Sequence, residues 1–138
     1  MQLSVHLNFD GQCAAAFRQY HRLFGGRLST LMTYGESPMA DRVPVEWRDR
    51  IVHATLSLDG MELMGADVAP ESYTSPQGFA VVLNIDDVER ARELFGSLAE
   101  GGTLRLPFQK TFWSPGFGML KDQFGVNWMV NCAQPAVL

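Results

Sequence analysis

The sequence predicts an α+β protein made of two tandem β-α-β-β-β modules, and three observations predict it. Strand-like alternation gives way to helix-like spacing and returns, twice along the chain. The second passage copies the first: Leu7-Asn8-Phe9-Asp10 is answered by Leu83-Asn84-Ile85-Asp86, and Gly25-Gly26-Arg27-Leu28 by Gly101-Gly102-Thr103-Leu104, each 76 residues later. Asp59-Gly60-Met61-Glu62-Leu63-Met64 is answered by Phe124-Gly125-Val126-Asn127-Trp128-Met129 after only 65 residues, so the first copy carries 11 extra residues. They fall in the 35–50 loop.

Residues 2–9 alternate, with Leu3, Val5, Leu7 and Phe9 on one face and Gln2, Ser4, His6 and Asn8 on the other, as a strand buried on one side does. From Gln12 to Phe24 the spacing changes: Ala16, Phe17, Tyr20, Leu23 and Phe24 recur every three or four residues until Gly25-Gly26 ends the helix. Residues 27–34 form the next strand. The stretch from Gly35 to Arg50, with Pro38 and Pro44 and charges of both signs, is too long for a hairpin turn and reads as a lid, an arm or a mobile loop. Val52, Ala54, Leu56 and Leu58 alternate with His53, Thr55 and Ser57, and Asp59-Gly60 turns the chain into a strand over 61–65.

The second module repeats this order. Phe79 to Ile85 is a strand, Asp86 and Asp87 offer a helix cap, and Val88, Ala91, Phe95 and Leu98 mark one helix face before Gly101-Gly102. Leu104 to Phe112 is the sixth strand. Thr111 to Asn131 then reads as a strand, a tight turn at Phe124-Gly125 and a returning strand. The modules run over residues 1–68 and 79–134, joined by a 69–78 linker, and make one domain together.

Composition narrows the function classes. A net charge of −4 offers no basic stripe to neutralise phosphates, which argues against a nucleic-acid partner. No apolar run approaches the ~20 residues of a spanning helix, and MQLSVHLNFD alternates like a strand where a signal peptide has a basic start and an apolar block. Cys13 and Cys132 lack metal-type spacing and fit free thiols in a reducing cytoplasm. Cys13 falls in a helix first turn, where the dipole lowers a thiol pKa, or is simply a small buried side chain.

FDGQCAAAFRQYHRLFGGRL near the start, HATLSLDGMELMGAD in the middle and TFWSPGFGMLKDQFGVNWMVN at the end, on a twofold β-α-β-β-β frame, resemble the PhnB-like family of the vicinal oxygen chelate superfamily, the fold of glyoxalase I, bleomycin-resistance proteins and extradiol dioxygenases. The resemblance implies incurved mixed sheets with the helices outside, a ligand on the concave faces and a homodimer. It implies no single reaction, because the fold hosts several. Superfamily enzymes hold a divalent metal through one residue near the start of each module's first strand and one in its last. Those places fall here at Ser4 and Ala80, or at Val5 and Phe79 beside them, and at Met64 and Met129. None suits a hard divalent ion, so no metal or other cofactor is expected.

If the apolar strand faces pack on the helices, the opposite faces line the cavity. Asn8, Thr55, Ser57, Met64, Asn84, Asn127 and Met129 are then candidate ligand contacts, with Lys110 and Phe112 from the sixth strand and Trp113 at the mouth. His6, His53 and Glu62 are the candidate catalytic groups, as a displaced metal site or a base held by a carboxylate. Trp128 shares parity with Val126 and Val130 and reads as core, while Trp47 is a lid residue or a dimer anchor. No Ser-His-Asp order, phosphate-cradling glycine loop or catalytic carboxylate pair is present. The expected function is therefore a homodimeric small-molecule-binding protein of the cytoplasm. The alternatives are a metal-dependent lyase, isomerase or dioxygenase using His6, His53 and Glu62, or a structural partner-binding module.

Overall fold

Asp59 and Gly60 both take positive φ, 45° and 81°, the conformation a two-residue hairpin needs, and they fold β3 (Ile51–Leu58) back on β4 (Met61–Asp67). This hairpin is the centre of the first of two compact units, Met1–Thr74 and Ser75–Leu138, in a computed structural model that describes residues 1–133. The expected module end at residue 134 lies outside the described residues. β1 (Val5–Phe9) pairs with β4 in parallel, β2 (Arg27–Thr33) pairs with β3 antiparallel, and the sheet order is β1-β4-β3-β2.

One face of that sheet carries α1 (Cys13–Phe24), whose three alanines favour the helix and whose Phe17 and Tyr20 point into the core. Leu7, Phe9, Phe17, Tyr20 and Leu56 are buried, each contributing roughly 1.5–3 kcal/mol. Phe17 meets Phe9 edge-on at 6.1 Å, and Tyr20 stacks on Phe24 at 5.9 Å. Gly65 of β4 makes room for this: a Cβ there would lie 2.6 Å from the Phe17 ring and 3.1 Å from the Leu7 carbonyl oxygen.

The second unit repeats the architecture with β5 (Val81–Ile85), α2 (Val88–Ala99), β6 (Thr103–Gln109), β7 (Phe117–Lys121) and β8 (Asn127–Cys132), in the order β5-β8-β7-β6. β5 runs parallel to β8 as β1 does to β4. The two helices are 12 residues each. Ala91, Leu94, Phe95 and Leu98 bury one side of α2 against its own sheet, with Leu120, Trp128 and Val130 beneath them. The α+β fold of two β-α-β-β-β modules therefore stands as the repeat predicted.

Several element ends differ from the sequence reading. The first strand begins at Val5, and Leu3 is 86% exposed, although β4 extends to Met61. The fifth strand begins at Val81, after Phe79. The sixth ends at Gln109, so Lys110 and Phe112 belong to the following link. The last hairpin starts at Phe117, not Thr111. Thr111 N–H donates to the Ser114 carbonyl at 2.9 Å and Ser114 N–H to Thr111 Oγ1 at 3.2 Å, while Ser114 Oγ donates to the carbonyls of Gly116 at 2.7 Å and Cys132 at 2.9 Å. These local bonds take the backbone groups a strand would use. The 35–50 stretch is a link containing two short 3-10 turns, Ala40–Arg42 and Val45–Trp47.

Candidate functional site

Sheet register decides which of the expected residues meet. In the first unit His6, Met64, Thr55 and Thr30 form one row across the four strands. Glu62 sits opposite Ser57, and His53 opposite Met32. His6 and His53 are thus on strands about 10 Å apart, with β4 between them, and also two residues apart along the strands, since Thr55 shares the His6 row. Their rings are bound locally. His6 Nε2 lies 3.0 Å from Asn8 Oδ1, and since an amide oxygen only accepts, Nε2 carries the proton there. His53 Nε2 lies 3.1 Å from Thr55 Oγ1.

Among the described residues no three His, Cys, Asp or Glu side chains gather closely enough to hold a metal ion, so His6, His53 and Glu62 do not converge. The superfamily's last-strand metal positions are thioethers, Met64 beside His6 and Met129 beside Val82. This donor set does not fit a hard divalent ion.

Where the first unit's strand end meets its helix, one buried carboxylate organises the chain. Asp67 Oδ1 accepts from Cys13 N–H at 3.0 Å, Asp67 Oδ2 from Ile51 N–H at 2.9 Å, and its carbonyl from Tyr34 O–H at 2.8 Å. Gln12 gives α1 no side-chain cap, so Asp67 supplies it from another strand. Burial first, and the Asp67 carboxylate second, push the Cys13 thiol well above its ordinary value, overriding the dipole. Burial likewise raises the Cys132 thiol. Both cysteines are free and buried, so the small-buried-side-chain reading describes them.

The second unit carries a cavity of about 730 Å³. Its floor is the face of β7 and β8 turned away from α2, where Met119 pairs with Met129 and Lys121 with Asn127. Its wall is the segment 75–80, tied down by Lys121 Nζ donating to Ser75 Oγ at 3.0 Å and Asn127 Nδ2 to the Pro76 carbonyl at 3.0 Å. Arg105 completes the rim from β6. Asn127 Oδ1 is buried without a partner, at a cost of about 1–3 kcal/mol.

Of the expected ligand contacts, Asn127 and Met129 line this cavity. Asn84 lies on the same sheet face and accepts from Asn131 Nδ2 at 3.0 Å. Asn8, Thr55, Ser57 and Met64 lie on the corresponding face of the first unit. Lys110, Phe112 and Trp113 are not in the lining. Phe112 and Trp113 instead begin an aromatic ladder, 4.7 Å between their rings and 5.3 Å on to Phe117. Trp128 is core, its Nε1 donating to buried Asp122 Oδ2 at 2.8 Å. Trp47 lies against Tyr34 and beneath the Arg50 guanidinium, bordering a smaller groove of about 310 Å³.

Met119, Lys121 and Arg105 were absent from the sequence reading. The alternation Phe117, Met119, Lys121 against Gly118 and Leu120 marks the first two, once the strand is started at Phe117. Arg105 sits at a register shift between Leu104 and Leu106, where alternation gives no guidance.

A family model described as 3-demethylubiquinone-9 3-methyltransferase matches residues 1–131. Protein YjdN of Escherichia coli (strain K12) is 36% identical over 139 residues, covering 95% of each chain. The crystal structure of protein PA1353 from Pseudomonas aeruginosa superposes with a TM-score of 0.89 at 41% identity, over 98% of this chain and 99% of that one. The PhnB protein from Bacillus cereus shares the fold, with a TM-score of 0.82 at 24% identity over 96% and 100% of the two chains.

Proposed function

The chain belongs to the family described as 3-demethylubiquinone-9 3-methyltransferase, PhnB-like proteins of the glyoxalase/bleomycin resistance/dioxygenase fold, and on that premise we propose that it binds a small molecule in the cavity of its second unit. The observation that carries this reading is the cavity itself: about 730 Å³, within the range of ligand sites, with the Met119 and Met129 thioethers below and a few fixed polar groups at its edge.

The reading is of a binding protein that works without a metal, and the thioethers at Met64 and Met129 support that part of it. The methyl transfer in the family's description is not part of it: Gly116 and Gly118 lie before and within β7, away from any strand-to-helix turn where a nucleotide's phosphates are cradled. A homodimer in the cytoplasm completes the proposal, in keeping with two buried free thiols, a net charge of −4 and, among the described residues, no helix long and apolar enough to cross a membrane.

Native mass spectrometry of the protein as isolated tests this, because it reports subunit number and bound mass together. We expect a dimer carrying a small organic mass that is lost in M119W, whose indole fills the cavity. A bound mass unchanged in M119W, or a stoichiometric metal in its place, would overturn the reading.

A further inference from the structure

We infer that the ligand of this cavity is an oxyanion with an apolar body, gripped at its charged end by Lys121 and Arg105. The inference rests on the binding reading above and adds the chemical class. The chain as a whole is acidic, with 15 Asp and Glu against 11 Lys and Arg, yet the lining holds two cations and neither Asp nor Glu. The local sign of charge is therefore opposite to that of the molecule, and a low-dielectric wall concentrates it.

The two cations are also left over from the fold's own electrostatics. The ion pairs of the described residues engage Arg48, Arg50, Arg90 and Arg92, and neither Lys121 nor Arg105 joins a carboxylate. Solvated surface cations behave the same way, but Lys121 is not a free surface side chain. Its ammonium is held by Ser75 Oγ at 3.0 Å, which fixes it at the cavity wall with N–H donors to spare. Next to it on the floor, one row along β7 and β8, the Met119–Met129 pair is uncharged and polarisable. A charged head beside a thioether floor matches a ligand with a carboxylate or phosphate at one end and a ring or chain at the other.

The test uses benzoate, phenyl phosphate and the neutral isostere benzamide, titrated into protein carrying 13C-methyl methionine and followed by NMR. We expect benzoate or phenyl phosphate to shift the Met119 and Met129 methyl signals, with affinity falling as salt is added; which of the two binds tighter separates a carboxylate from a phosphate ligand. R105Q and K121Q should each weaken anion binding roughly three- to tenfold while leaving benzamide unaffected, and K121R should retain the anion. Benzamide binding as tightly as benzoate, or anion affinity unchanged in R105Q and K121Q, overturns the inference and leaves the cavity reading standing. If none of the three probes moves those methyls, the cavity reading fails and the inference with it. Should K121Q unfold, R105Q on exposed β6 decides alone.

Discussion

Asp67 shows how much one side chain decides in this molecule. Its two oxygens accept from backbone N–H groups at the start of α1 and of β3, and it is fully buried. D67A leaves both donors buried and unmet, so we expect a loss of about 2–5 kcal/mol, read as a lower midpoint in urea unfolding. D87A, which removes the local cap that α2 receives through Glu89 and Arg90 N–H, should cost only about 1 kcal/mol. Equal losses would contradict the account. The sequence showed Asp87 plainly, because its partners are two and three residues away; the Asp67 partners are 54 and 16 residues away, and nothing local marks them.

Cys13 gives a second residue-scale prediction. A thiol whose pKa is raised in the fold holds its proton more tightly there than in the unfolded chain. Its contribution is therefore complete below the ordinary value of 9.0 and is lost as pH climbs above it. Urea midpoints measured between about pH 8 and 10 should fall on the alkaline side, and C13A should flatten that fall. An equally steep fall in C13A would remove Cys13 as its cause.

At the scale of elements, each unit lays a helix phenylalanine over a strand glycine, Phe17 on Gly65 and Phe95 on Gly118. The two glycines do not correspond through the repeat, since one lies in β4 and the other in β7. G65A drives a Cβ toward the buried Phe17 ring and should cost about 1–3 kcal/mol. Gly96 is the opposite case, an exposed position inside α2 where an added Cβ meets nothing within 4 Å. G96A should stabilise by about 0.5–1 kcal/mol, through the helix and through a less free unfolded chain. A differential scan that ranks G65A above G96A in melting temperature would contradict this packing.

The helices and hairpin centres were legible in the sequence because periodicity and the Asp-Gly and Gly-Gly signals are local. The strand ends were not. Phe112 and Trp113 continue an alternating pattern, and only the hydroxyls of Thr111 and Ser114, bonded to nearby backbone, show that the strand has already stopped. That single displacement hid Met119 and Lys121, since it put the emphasis on Lys110 and Phe112 in their place. His6, His53 and Glu62 were legible as polar residues on one sheet face, but their separation by strand and row depends on register, which the sequence does not print.

Across the whole molecule, duplication conserved topology and let chemistry drift. Both sheets have the same order and the same parallel pair, yet the last-strand residue that caps a helix in the first unit, Asp67, is matched in the second by Cys132, whose thiol lies 3.6 Å from the Asp86 carbonyl. The row that carries His6 and Thr55 in the first unit carries Val82 and Met119 in the second. Two copies of one frame thus present unequal faces, and the cavity described here belongs to the second. A crystal structure of the protein as isolated, with anomalous data collected at transition-metal edges, tests this most directly. We expect organic density against Met119, Met129 and Lys121; an anomalous peak within coordination distance of His6, His53 or Glu62 would contradict a metal-free binding site in the second unit.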